Sequence, residues 1–273
     1  EPILQLGLET GYGNDWLRLM GLKLFSDGTI TGKTAGFSEG FIDMPFSPDM
    51  LIISDEEMLD IFRKAAQANL RVALHALGDA SIAQIIRNFS IVNKEKNITH
   101  MRNRIEHCGC IKPEQMDQMR ELGLVASLST GFIYPLGDHY NMVLPKEKVQ
   151  KLYPAKSLME KGVVVSGNAD CPICNFNPFE SIFGAVTRTT QNGMDFGQDE
   201  AITVEQGLKM YTINAAKACC DEAITGSLRC GKYADMMILE KDPFAVSMQE
   251  LYHMQVLATF TNGQLVYGDL QSL

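Results

Sequence analysis

Four residues in this sequence carry side chains suited to metal-assisted chemistry, and each lies in or just after a short apolar run. Lys23 sits inside Leu17–Asp27 (LRLMGLKLFSD), and His75 ends the run that begins at Leu70 (LRVALHALGD). His107 follows Ile105 in Arg104–Cys110 (RIEHCGC), and Asp170 ends the valine run of Gly162–Pro172 (GVVVSGNADCP). Imidazole nitrogens and carboxylate oxygens are the usual ligands of zinc and similar divalent ions. Such an ion polarises a carbonyl and lowers the pKa of a bound water to roughly 7. A carboxylate beside that water can act as general base. His75 and His107 supply two neutral ligands, and Asp170 supplies the base. Lys23 stands among apolar neighbours, and burial lowers a lysine's pKa. A neutral amine can form a Schiff base, or take up carbon dioxide as a carbamate that bridges two metals. The plainer role for Lys23 is an ammonium that snorkels to the surface. Any one histidine taken alone is more readily a structural residue; the weight lies in four such residues at matching positions.

The elements that must position them alternate between strands and helices. Strands are expected at Trp16–Phe25, Leu70–Leu74, Ile105–Cys108, Leu124–Leu128 and Gly162–Ser166. Helices are expected between them. Ser54-Asp-Glu-Glu57 is a capping box that opens a helix through about Ala68. Asp79 can cap a second, from Ala80 to about Val92. Pro113–Leu122 and Pro178–Thr189 each begin with proline in the first turn. Lys146–Lys161 reads as helix with a break at Pro154. Thr203-Val-Glu-Gln206 caps a helix through about Ala218. Ser26–Asp49 and Ser129–Tyr140 read as irregular, and the loops Ser26–Asp49 and Ser129–Pro145 shape a pocket. The tail changes period: Asp235–Leu239, Gln255–Thr261 and Leu265–Tyr267 read as short strands, with an Asn262-Gly263 hairpin turn between the last two. Alternating units of this kind build a parallel α/β sheet whose ligands bind at the carboxyl ends of the strands. Five units are too few to close an eight-stranded barrel.

Composition narrows the function. A chain of 273 residues with 45% hydrophobic residues can bury a sizeable core. Its net charge of −9, with no basic run, argues against nucleic acid as a partner. No apolar run is long enough for a membrane span, and no signal segment opens the chain. The seven cysteines, an odd number in a chain with ample core, read as reduced thiols and so as cytoplasmic. Cys171-x-x-Cys174 has the spacing of half a zinc site or a redox pair, without a second pair at suitable spacing.

Lys23 in GLKLFSDG, His75 in HALGD, His107 in RIEHC and Asp170 in GNADCP resemble, in order and context, the amidohydrolase superfamily. Most similar is its branch of predicted metal-dependent hydrolases, which includes enzymes similar to N-substituted formamide deformylase. The tail Gly226–Phe244 (GSLRCGKYADMMILEKDPF) is similar to that branch's return into a small β domain. The resemblance implies the C-terminal part of a TIM (β/α)8 barrel over residues 1–222 and a β segment of the small domain over 223–273. It implies Lys23 as a carboxylated, metal-bridging lysine, His75 and His107 as ligands, and Asp170 as both ligand and general base. Asp79, Arg104 and Glu106 would orient them. The cofactor would be a divalent metal, zinc, and the substrate a small molecule with an amide or formamide carbon–nitrogen bond.

In the family, the first barrel strand ends in two histidines separated by one residue. None of the five histidines here is so spaced. The expectation is therefore a C-terminal portion of a longer protein, completed by a missing N-terminal segment or by a second copy in a homo-oligomer, and incomplete or inactive alone. The alternatives are a non-catalytic degenerate barrel with a binding or regulatory role, a Schiff-base lyase using Lys23, and a phosphoesterase on the same scaffold.

Overall fold

The computed structural model describes residues 2–269. Five strands, β1 (Leu22–Phe25), β2 (Val72–Ala76), β3 (Arg104–His107), β4 (Val125–Leu128) and β5 (Val164–Gly167), form one parallel sheet in sequential order. Sequential parallel strands need a crossover between each pair, and helices supply them. The helix Asp55–Gln67 starts where Ser54 Oγ accepts from the Glu57 amide (3.2 Å). It packs against Asp79–Glu95 through the stacked rings of Phe62 and Phe89, 4.0 Å apart. A second, antiparallel sheet holds β6 (Met236–Leu239), β7 (Val256–Thr261) and β8 (Gln264–Gly268). Its hairpin turns at Asn262 and Gly263, both at positive φ, as the Asn-Gly pair requires.

Strand register separates the two faces of the parallel sheet. Leu24, Leu74, Ile105, Ala126 and Val165 are register partners in one row. That row packs into the hydrophobic core beneath the helices. One residue further along, the row is Phe25, His75, Glu106, Ser127 and Ser166. Side chains alternate between faces along a strand, so this polar row occupies the opposite, inner face. The row two residues earlier carries Lys23, Ala73 and Arg104 on that same face.

Several sequence expectations shift. The first strand begins at Leu22 and not at Trp16, which is 82% exposed. The histidine expected just beyond the second strand lies within it, because the strand runs to Ala76. Ser129–Tyr140 is not irregular: a short 3-10 turn, Thr130–Phe132, leads into the helix Ile133–Val143. Pro135 is tolerated there because it lies in the first turn, where its missing N–H costs no hydrogen bond. The helix expected to run to Ala218 breaks at Thr212 into Val204–Tyr211 and Ile213–Ala218. Asp79 is the first helical residue, and Gly78 takes the cap position. A further helix, Met248–Tyr252, starts at a capping box on Ser247 and Glu250.

The long Ser26–Asp49 segment is anchored. It buries Ile30, Ala35, Phe37 and Phe41 in a cluster of its own with Tyr140 and Tyr153. Gly36 lies so close to Gly78 that a Cβ on Gly78 would stand 2.1 Å from the Gly36 carbonyl carbon. Gly78→Ala should therefore push this segment off the end of β2. The expected loss is about 1–3 kcal/mol of stability, read as a lowered urea midpoint with an unchanged slope. An unaltered midpoint would contradict the close approach.

Candidate metal centre at the carboxyl ends of the strands

His75 reaches the inner face by ordinary strand alternation. His107 does not. Its register partners are Ala76 and Leu128, in a row on the helix side. Its backbone, however, sits at φ 68°, and that of Cys108 at φ 45°. These left-handed conformations, costly for residues with a Cβ, take His107 out of the alternation. Its ring packs edge-on against His75, with centroids 4.4 Å apart. Phe25 flanks His75 at 5.2 Å, and Phe132 stacks on His107 at 5.9 Å. Both imidazoles are buried.

The hydrogen-bond partners of each ring decide which nitrogen keeps a lone pair. His75 Nε2 lies 2.8 Å from the Gly28 carbonyl oxygen, which can only accept. Nε2 therefore carries the proton, and Nδ1 is left as the donor atom for a ligand. His107 Nδ1 lies 2.7 Å from Ser129 Oγ, and Ser129 Oγ lies 2.8 Å from Asn168 Oδ1. The Asn168 amide is oriented by its Nδ2, which donates to the Ser127 carbonyl at 2.9 Å and to Ser127 Oγ at 2.9 Å. Asn168 Oδ1 can only accept, so the single Ser129 hydroxyl proton goes to it. Ser129 then accepts from His107 Nδ1–H, and Nε2 of His107 keeps its lone pair. Burial pushes His107 down to about 3, aided by His75 and Lys23. His75 is lowered as well, chiefly by burial. Both rings are held neutral, the state in which imidazole binds metal.

Asp27 completes the support of His75. It is fully buried and accepts from the backbone N–H groups of Gly36 (2.9 Å), Leu77 (3.1 Å) and Gly78 (2.8 Å). Its Oδ1 stands 3.6 Å from His75 Nε2, beyond hydrogen-bond reach. Burial pushes its carboxyl up to about 7, against the three amides that favour the charged form. Nothing in the apolar pattern of the sequence marks Asp27, Ser129 or Asn168. Their partners come from other strands and loops.

The other expected residues are placed as follows. Lys23 lies on the inner face but is exposed, not apolar-buried, because β1 pairs among the described residues only with β2. Its Nζ stands 4.1 Å from the centre of the Phe25 ring. Its pKa is lowered, first by burial of part of the side chain, while Glu106 and Asp170 act the other way. Lys23, Arg104 and Glu106 line one cavity of about 240 Å³. Arg104 Nε donates to Glu106 Oε1 at 2.6 Å. Asp170 is exposed on the turn after β5, at φ 48°. Its charge favours the protonated forms of both Lys23 and His75. Asp79 stands apart: its carboxylate accepts from Ser38 N (2.9 Å) and Oγ (2.5 Å) and pairs with Lys112 (3.1 Å). Cys171 and Cys174 are free thiols.

Two neutral imidazoles, side by side with lone pairs free, fit part of a divalent-metal ligand set. Among the described residues, however, no three His, Cys, Asp or Glu side chains form a group able to hold an ion.

The shifts at Asp27 and His107 act on stability with opposite signs. The raised carboxyl of Asp27 keeps its proton in the fold, so its contribution is lost as pH rises from about 4 through 7. The lowered imidazole of His107 stays neutral in the fold, so its contribution is lost as pH falls below about 6.5. Asp27→Asn removes the first slope and should steepen the loss of stability between pH 6.5 and 4, measured by urea unfolding. An identical pH profile in the variant would contradict the assignment. Nitrogen NMR should show His107 as the Nδ1–H tautomer from pH 7 down to about 4. Ser129→Ala should release that tautomer into a mixture.

Comparisons with known proteins place the chain in a family. The model of the amidohydrolase family matches residues 1–267. N-substituted formamide deformylase of Arthrobacter pascens is 31% identical over 215 residues, 78% of this chain and 40% of that protein. Protein LONG AFTER FAR-RED 3 of Arabidopsis thaliana is 29% identical over 97% of this chain and 46% of its own length. The chain thus spans less than half the length of these two relatives. Among solved structures, an uncharacterized metal-dependent hydrolase from Pyrococcus horikoshii OT3 superposes with a TM-score of 0.79 at 27% identity, over 91% of this chain and 50% of that one. The parallel sheet is thus part of the barrel architecture expected from the sequence. The chain belongs to the amidohydrolase family.

Proposed function

We propose that this chain carries part of the centre of a metal-dependent hydrolase acting on a non-peptide carbon–nitrogen bond, an amide or formamide. One observation carries the reading. Two neutral imidazoles face each other at 4.4 Å at the carboxyl ends of parallel strands, with Lys23 and Asp170 in electrostatic reach. His75 through Nδ1 and His107 through Nε2 would hold a divalent ion, which we take to be zinc from its preference for nitrogen ligands. When bound, the ion would polarise the substrate carbonyl and acidify water.

The remaining work falls to the chain. Asp170, exposed on its turn, takes the proton from the attacking water and returns it to the leaving nitrogen. Lys23, with its lowered pKa and open position, is accessible to carbon dioxide and would serve as a carbamate. Arg104 and Glu106 fix each other beside it and orient its tip. The Ser129–Asn168 pair holds the His107 ring in its ligating tautomer. Residues 1–222 would form the catalytic part, and 223–273 the appended β part. The seven free thiols support a reducing compartment, the cytoplasm.

A non-catalytic barrel is the competing reading, favoured by the absence of a three-ligand group among the described residues. Turnover of a simple formamide by the full-length protein in the presence of zinc separates the two. Asp170→Asn should lower kcat by about 10²–10⁴-fold while leaving bound metal in place. Turnover equal to the parent would refute the role of Asp170, and no turnover by the parent under any metal would favour the non-catalytic barrel.

A further inference from the structure

The turn that carries Asp170 has a second face. Ile173 N donates to the Asp170 carbonyl (2.8 Å), and Cys174 N to the Ala169 carbonyl (3.3 Å). Beyond these residues lies a cavity of about 220 Å³, walled by Tyr134, Ile173, Cys174, Glu180 and Tyr252. It opens between the segment after β4 and the segment after β5. The helix Met248–Tyr252 closes one side. It is smaller than the pocket of a drug-sized ligand and suits one arm of a substrate.

Its walls have a definite chemistry. The rings of Tyr134 and Tyr252 lie 5.2 Å apart, and Phe183 buttresses both at 5.1 Å. Glu180 receives one neutral hydrogen bond, from Asn175 Nδ2 at 2.6 Å. No cationic side chain among the described residues forms an ion pair with it. Burial pushes the Cys174 thiol up to about 11, and the charges of Asp170 and Glu180 add to it. Aromatic faces attract cations, and a carboxylate without a cationic partner supplies the charge. An anion placed here would meet the Glu180 carboxylate.

We propose that this cavity binds an ammonium group, the charged end of an alkylamine or benzylamine arm, with the Tyr134–Tyr252 ring pair on one side and Glu180 on the other. Its role as a substrate pocket rests on the amide-hydrolase reading, since the arm would be carried by the amide cleaved beside Asp170. The binding itself does not.

The test is titration of the chain with benzylammonium chloride, followed by proton NMR of the tyrosine rings, beside benzyl alcohol and sodium benzoate. Saturable shifts at Tyr134 and Tyr252 are expected, with benzyl alcohol about tenfold weaker and benzoate weaker still. Glu180→Gln should erase the preference for the cation. Tyr252→Leu should weaken the cation while leaving Glu180 in place, and it serves where the first variant fails to fold. Equal affinity for the cation and the alcohol, or an unchanged ratio in Glu180→Gln, overturns the proposal, as does absence of benzylammonium binding. That failure leaves the hydrolase reading standing. Benzylammonium binding, beside a full-length protein that turns over no amide, removes the hydrolase reading and keeps the site.

Discussion

The buried carboxyl group of Asp27 is the constraint on which the centre depends. It joins three separate backbones: its own segment after β1, the Gly36 turn, and Leu77–Gly78 at the end of β2. Each amide it receives would otherwise be a buried donor without a partner, at a cost of about 1–3 kcal/mol. The same tie brings the Gly28 carbonyl onto His75 and selects its tautomer. A loop of more than twenty residues is thereby held as part of the site and not as a mobile lid. Glycine is required at 78 because a Cβ there would run into the Gly36 backbone.

Fold and chemistry use opposite faces of one sheet. The row of Leu74, Ile105, Ala126 and Val165 is apolar and fully covered, and its burial anchors the strands. The neighbouring row of His75, Glu106, Ser127 and Ser166 inherits a rigid frame at no further cost in order. His107 is the exception. Its strand position points to the core, and its left-handed backbone carries it to the other face. Strain of that kind persists only where surrounding contacts over-determine it. Here the Ser129 hydrogen bond and the packing of Phe132 and His75 do so.

The sequence made the frame legible because strand–helix alternation is a local signal. All five parallel strands, the appended hairpin and the positions of Lys23, His75, His107 and Asp170 could be read from short apolar runs. The helix Ile133–Val143 was hidden by Pro135 and Gly137, whose breaking tendency does not apply in a first turn or against the close-packed Phe196 and Thr190 side chains. The supporting residues were hidden for a different reason. Asp27, Ser129 and Asn168 work through partners 9 to 51 residues away. No window of local sequence contains such a pair. The exposure of Lys23 was likewise unreadable, since an apolar run does not tell which side of a strand is covered.

The most direct test of the account is the binding of cobalt(II) to the purified chain, followed by its visible absorption and by elemental analysis, beside His75→Ala and His107→Ala. Ligand-field bands from nitrogen coordination are expected in the parent chain, with their loss in each variant. Bands that persist unchanged in both variants, or a parent chain that takes up no metal, would contradict it.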